Sequence, residues 1–214
     1  MPVRVVIDGN IGVGKSTVLK ALSAKWSSMA VVFEPVDEWV AQGFLDKMYK
    51  NEISLYEFQH MAMVSMAAAE AAAAPEAEVV VTERSLESSF EVFGKAVLDP
   101  SSESFKILQF SYEKLRHAFP WRSFDATHHI FLDIPPTEAF QRVLMRHRDA
   151  EAKTTLEYLE TVEAAYKEWL ARQQNVTVID ANRPVEEVVN DVWSVIQQAP
   201  LLKKALTAGI TGSM

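Results

Sequence analysis

Nine residues near the start, Gly9-Asn10-Ile11-Gly12-Val13-Gly14-Lys15-Ser16-Thr17, constrain the fold more tightly than any other part of the chain. They fit G-x-x-x-x-G-K-[ST], with a short apolar run before them and a helical pattern after them. Glycines let the backbone bend so that successive N–H groups point inward at phosphate oxygens, and the following helix adds its partial positive charge. Lys15 is then expected to reach the β- and γ-phosphates and Ser16 to ligate Mg²⁺. Gly9, Gly12 and Gly14 are three of only 7 glycines in the chain. A chance match anywhere along this length is on the order of 1%, before the flanking pattern is required. The motif implies a nucleoside triphosphate with Mg²⁺ and leaves open what receives the phosphate.

Such a loop needs a strand on one side and a helix on the other, and the rest of the chain repeats that alternation. Short apolar runs at 3–7, 30–33, 79–82, 129–133 and 176–179 read as strands buried on both faces of a parallel sheet. Helical periods lie at about 15–24, 54–74, 86–97, 103–117, 137–147, 155–173 and 185–198. The expected fold class is α/β: a three-layer domain whose central five-stranded parallel sheet is flanked by crossover helices. One domain is expected over 1–198, with 199–214 as a flexible tail containing Pro200, Gly209 and Gly212. The alanine-rich stretch at 67–74 reads as a helix end.

Composition narrows the partners. Hydrophobic residues make up 49% of the 214, enough for a sizeable core. The net charge of -8 argues against a nucleic-acid coat, which needs a broad basic footprint. Cysteine is absent, which removes disulfides, thiolate metal sites and a thiol nucleophile. No apolar run approaches the roughly 20 residues that cross a bilayer, and no secretory signal is seen, so a cytoplasmic protein without membrane contact is expected.

In parallel α/β sheets ligands sit outside the carboxyl ends of the strands. Glu34 follows the second strand and Glu83-Arg84-Ser85 the third, so both carboxylates fall on the rim of the phosphate loop. Either can accept the proton of a phosphoryl-acceptor hydroxyl, with Arg84 orienting one of them. At about 100° per residue, Phe58, Ala62, Met66 and Gln59 share one face of a helix. That face can stack on a nucleobase and read its edge, although a core-facing stripe with Gln59 at its border is the commoner pattern. Arg142, Arg146 and Arg148 crowd one helix end in an acidic chain. They suit a clamp over a transferring phosphoryl group as well as they suit a solvated helix terminus. His128-His129 begins a buried strand and is expected to be packed or hydrogen-bonded rather than to hold zinc.

In order, Gly-Asn-Ile-Gly-Val-Gly-Lys-Ser-Thr at 9–17, Glu-Pro-Val-x-x-Trp at 34–39, Phe-Gln at 58–59, Glu-Arg-Ser at 83–85 and Arg142…Arg146-x-Arg148-x-x-Glu151 resemble the deoxynucleoside kinase family. That family includes deoxycytidine kinase, mitochondrial and insect deoxynucleoside kinases and related viral thymidine kinases. The resemblance spans about residues 3–181 and implies a three-layer P-loop kinase fold and roles position by position. Glu34 matches the base for the 5′-hydroxyl, Arg84 the arginine beside it, and Glu83 the acidic residue that helps organise Mg²⁺. Gln59 matches the glutamine that reads the base, with Trp39, Phe58 and Phe93 walling it and Leu45, Met48 and Ala62 among the substrate contacts. Tyr49 and Glu151 match residues that hold the 3′-hydroxyl, Arg142, Arg146 and Arg148 the phosphate lid, and Asp180-Ala181-Asn182 the loop bordering the adenine of ATP.

Where deoxycytidine kinases carry an arginine and an aspartate around the base, this chain has Met66 and Ser89, which leaves room near the pyrimidine 5-position. The resemblance therefore implies phosphorylation of thymidine, with deoxycytidine as a second substrate, by ATP with Mg²⁺. It also implies a homodimer, with the helices at 86–117 as the interface, and a host-cytoplasmic setting for a viral source. A thymidylate kinase on the same fold, or a non-catalytic nucleotide-binding subunit, is the alternative. The first needs a basic grip where Glu34 stands, and the second has no need of Lys15, Glu34 and Arg84 together.

Overall fold

The computed structural model describes residues 3–26, 29–73, 77, 79–118, 127–146 and 153–211. Among these, β1 (Val3–Asp8), β2 (Ala30–Val32), β3 (Val79–Glu83), β4 (Thr127–Asp133) and β5 (Val176–Asp180) form one sheet. Its order is β2-β3-β1-β4-β5 and every pairing is parallel. The expected five-stranded α/β sheet is the one observed. Strand β1 lies at its centre and is buried throughout. Strands β2 and β5 are its edges. Both are only partly buried, and Val178 is 61% exposed, so burial on both faces holds for the three inner strands and not for these two.

Side chains alternate across the sheet, and the two sides are covered differently. Val5 and Ile7 of β1, Val81, Ile130 and Leu132 pack against Leu19 and Leu22 of α1 (Lys15–Lys25) and Val189 and Val192 of α10 (Val185–Thr211). Removing a Leu side chain of this kind from water stabilises the fold by about 1.5–3 kcal/mol. On the opposite side Phe131 meets Val162, Tyr166 and Trp169 of α9 (Leu156–Leu170). The result is three layers.

The helices start where their sequences provide caps. Ser54 and Glu57 form a reciprocal capping box at the head of α4 (Leu55–Ala71), and Thr155 caps α9 through its bond from Tyr158 N. Pro136 opens α8 (Pro136–Met145), where its missing N–H costs nothing. Two six-residue helices, α2 (Val36–Ala41) and α3 (Phe44–Tyr49), escape the sequence reading because neither is long enough to show a period. The helix expected at 86–97 is three pieces: α5 (Leu86–Ser88), a π-helical stretch Ser89–Gly94, and α6 (Lys95–Val97). It is followed by α7 (Glu103–Ala118). The last helix does not end at 198 as expected but continues through Pro200 to Thr211, over strong helix formers at 201–206.

Candidate active site

Strand β1 feeds the phosphate loop directly into α1, so the loop stands at the carboxyl edge of the sheet, between β3 and β4. Its shape requires glycine. Gly12 has φ +87, and a Cβ there would lie 2.5 Å from the carbonyl oxygen of Ala139. Gly14, the residue before α1, has φ +101 with open space around it. Asn10 donates its side-chain amide to Leu159 O (2.7 Å), so this side chain braces the loop against α9 and does not face the cavity. Lys15 lies buried across the loop with Nζ donating to Gly9 O (3.0 Å) and Asn10 O (2.8 Å). Burial, reinforced by the Arg84 cation, pushes its ammonium down to about 7 despite Glu83, Glu34 and Asp8 nearby.

Opposite the loop, the ends of β2 and β3 deliver three charged groups. Arg84 donates from Nη1 to Glu34 Oε1 at 2.7 Å, and both side chains are nearly buried. The Arg84 backbone is left-handed (φ +58), an uncommon state for a non-glycine residue. Its N–H donates to Ile7 O (3.0 Å), and its guanidinium lies 4.4 Å from the Phe93 ring centre. Burial alone would lower the Arg84 pKa; Glu34, then Tyr166 and Glu83, outweigh it and hold the cation charged. Ser16 Oγ donates to Glu83 Oε1 at 2.6 Å. These are two hard oxygen donors on the edge of a phosphate loop, the chemistry that suits Mg²⁺. No group of three His, Asp or Glu side chains that could hold a metal occurs among the described residues.

A cavity of about 770 Å³ joins these parts. Ile11, Val13 and Thr17 line its loop end, together with Lys15 and Ser16. Glu34, Glu83 and Arg84 lie on its wall beside Trp39, Leu45, Met48 and Tyr49. Phe58, Gln59 and Ala62 of α4 face it, as do Ser89 and Phe93 of the π-helical stretch, so the helix face left open by periodicity serves as a cavity wall. Trp39 meets Phe58 edge to face at 5.5 Å and is fixed by its indole N–H donating to Ser65 Oγ (2.9 Å). Met66 stands behind the wall, where its sulfur accepts from Ser89 Oγ (3.1 Å). Tyr49 Oη shares a hydrogen bond with Thr154 Oγ1 (3.1 Å).

Arg142 and Arg146 also reach the cavity. Arg142 donates to Val13 O (3.3 Å) and Asn182 Oδ1 (3.2 Å), tying the phosphate loop to the loop after β5. Ala181 lines the cavity, whereas Gly9, Asp180 and Asn182 stand outside its lining; Asp180 Oδ1 accepts from Asn182 N at 2.9 Å. Arg148 and Glu151 lie outside the described residues. His129 pairs with Asp8 (2.9 Å) and His128 with Thr177 (2.9 Å), in keeping with packed histidines. Sequence reasoning missed Tyr158 and Arg183, both on the cavity wall. Arg183 adjoins the 180–182 loop and could have been included with it; Tyr158 belongs to no motif, and only the placement of α9 brings it in.

Residues 5–200 match the profile of the family described as deoxynucleoside kinase. The chain belongs to that family. Membership makes it part of a kinase family, which implies ATP as phosphoryl donor. Among relatives of this deoxynucleoside kinase-family chain, the thymidine kinase of Ictalurid herpesvirus 1 (strain Auburn) is 31% identical over 210 residues, covering 94% of this chain and 89% of its own. Human mitochondrial thymidine kinase 2 is 27% identical over 199 residues (86% and 73%). The deoxycytidine kinase of Bos taurus is 26% identical over 217 residues (88% and 83%). Among the described residues, no helix of this family member is long and apolar enough to cross a membrane.

Proposed function

We propose that this protein transfers the γ-phosphoryl group of ATP to the 5′-hydroxyl of a pyrimidine deoxynucleoside, accepting thymidine and, second, deoxycytidine. The observation that carries the reading is the Glu34–Arg84 pair, held on the wall of the same cavity that the phosphate loop opens into. The 5′-oxygen forms a bond to the γ-phosphorus while the bond to the β–γ bridging oxygen breaks. Glu34 takes the hydroxyl proton, and the products are the 5′-monophosphate and ADP. Lys15 and the loop N–H groups hold the donor, and Arg84 with Arg142, Arg146 and Arg148 offsets charge on the phosphoryl group in flight. Ser16 and Glu83 would hold Mg²⁺, which when bound neutralises phosphate charge. Tyr49 and Glu151 hold the 3′-hydroxyl, Gln59 reads the base edge, and Phe58, Trp39 and Phe93 enclose the ring.

Pyrimidine preference rests on Met66 and Ser89, an uncharged pair in contact beside the Gln59 face. A carboxylate on the acceptor side also favours an alcohol over a phosphate acceptor, since Glu34 would repel thymidine monophosphate. Four deoxynucleosides and thymidine monophosphate, each assayed with ATP, test the reading. Turnover of thymidine supports it. Turnover of only purine nucleosides or of thymidine monophosphate, or nucleotide binding without transfer, overturns it. Glu34→Ala should lower kcat about 100-fold or more with nucleoside binding retained, and near-normal turnover removes Glu34 as base.

The working unit in this proposal is one domain over 1–198, acting as a homodimer. Ile107 and Phe110 on α7 are 50% and 59% exposed, one turn apart, and Val64 on the adjoining α4 is 45% exposed. Apolar surface of this kind suits a second copy of the chain.

A further inference from the structure

Tyr166 is fully buried, yet its hydroxyl makes no well-formed hydrogen bond among the described residues, Ser88 acting on it only as a loose side-chain partner. Arg84 Nε and Asp8 Oδ1 likewise have no hydrogen-bond partner among the described residues. Their valences fit one another. Arg84 Nε–H can only donate, the Asp8 carboxylate oxygen can only accept, and a phenol does both. They also share a neighbourhood. The Tyr166 ring meets Phe93 edge to face at 6.0 Å, and Phe93 carries the Arg84 guanidinium on its face. On its other side Tyr166 touches Trp169 (6.4 Å), Trp169 meets His129 (5.1 Å), and His129 holds the second oxygen of Asp8. Asp8, Arg84 and Glu34 are the charged groups whose fields reach the phenol. Ser88 is the other polar group that acts on it, but the Ser88 hydroxyl donates to Ser85 O (3.1 Å) and accepts from Ser85 N (2.9 Å), so its better-formed bonds lie elsewhere. Three such atoms left buried and unpaired would each keep the full penalty of losing water, a strong reason for them to be joined.

Resting on the phosphotransfer reading above, we propose that Tyr166 is a positioning residue for Arg84: its hydroxyl accepts from Arg84 Nε–H and donates to Asp8 Oδ1, each across one bridging water, since no two of the three atoms stand within direct hydrogen-bond reach. Arg84 stands on the acceptor side and Asp8 is the residue immediately before the phosphate loop. One line of hydrogen bonds through Tyr166 therefore fixes the two halves of the reaction centre relative to each other, beneath the cavity floor. Thr82 Oγ1, on the same side of the sheet as Asp8 and likewise unpartnered, can join at the Asp8 end.

Tyr166→Phe keeps the whole ring and its packing and removes only the hydroxyl. Were the hydroxyl an orphan, its loss would leave Tm unchanged or higher. The proposal expects Tm to fall by about 2–4 °C. It expects kcat for the deoxynucleoside to fall about tenfold, with KM changed less than about threefold, because the hydroxyl touches no substrate. Added to Arg84→Lys, which has no Nε–H, Tyr166→Phe should lower kcat and Tm by clearly less than it does in the wild type, since only the bond to Asp8 is left to lose. Multiplying losses in the double variant, or an unchanged Tm in the single one, overturn the proposal. The wild type is assayed beside them on the four deoxynucleosides. If it turns over none, the functional reading fails separately, and the Tm cycle, which needs no turnover, still decides the role of Tyr166.

Discussion

Lys15 sits buried against two carbonyl oxygens with its pKa lowered to about 7, chiefly by burial. A polyphosphate laid over the loop supplies negative charge and restores the ammonium form, so bound protein holds more protons than free protein wherever pH exceeds that value. At pH 8.5 ATP binding should take up about one proton, seen as a binding enthalpy that differs between buffers of high and low ionisation enthalpy; at pH 6 the difference should shrink towards zero. Affinity should correspondingly fall as pH rises above 7. A buffer-independent enthalpy at pH 8.5 would show the side chain already charged in the free protein. The loop glycines divide by the same kind of local physics. Gly12→Ala drives a Cβ into backbone of α8 as well as straining φ, whereas Gly14→Ala meets only the φ strain, about 1–2 kcal/mol. Thermal melting should rank Gly12→Ala well below Gly14→Ala, and equal melting points would mean the loop–α8 contact yields freely.

Elements of this fold are fastened to one another by buried charge as well as by apolar packing. Arg4 of β1 holds Glu70 of α4 (2.5 Å) and Glu87 of α5 (3.0 Å), all three side chains no more than 8% exposed. Burial raises the Glu87 pKa, but Arg4 reverses this and leaves it below the ordinary value. Removing one partner of such a set strands the others, at about 3–5 kcal/mol. Arg4→Met should therefore lower Tm on the order of 10 °C at pH 7. In that variant burial is the largest influence on Glu87, opposed by a backbone hydrogen bond and His129, so its folded pKa moves upward; folded protein then holds the proton to higher pH, and stability is lost as pH rises through that range. The deficit should narrow as pH is brought down to about 5, and a deficit independent of pH would assign the loss to packing. None of this triad is visible in the sequence, where Arg4 sits inside an apolar run and its two partners lie 66 and 83 residues away. The strand itself was visible because β-branched residues dominate it. Helices α2 and α3 were not, because six residues cannot display a 3.6-residue period.

At the scale of the whole molecule, α4 and α7 share an exposed apolar surface at Val64, Ile107 and Phe110. Phe110→Asp should convert a dimer to monomers in sedimentation equilibrium while leaving the circular dichroism spectrum intact, and a wild type already monomeric would withdraw the homodimer from the proposal. At this scale the division between sequence and tertiary structure is clear. The phosphate loop, the alternation of strands and helices and the carboxylates at strand ends are legible in the chain alone, because each depends on residues close together along it. Glycine spacing, period and strand-end position are local properties. It took the folded chain to make edges of β2 and β5, to set the Asn10 amide against α9, to let Arg142 tie the phosphate loop to the 180–182 loop, and to bring Tyr158 to the cavity wall. Those contacts join residues as much as 149 positions apart, such as Asn10 and Leu159, and no local pattern records which distant side chains the packing of a helix on a sheet brings face to face.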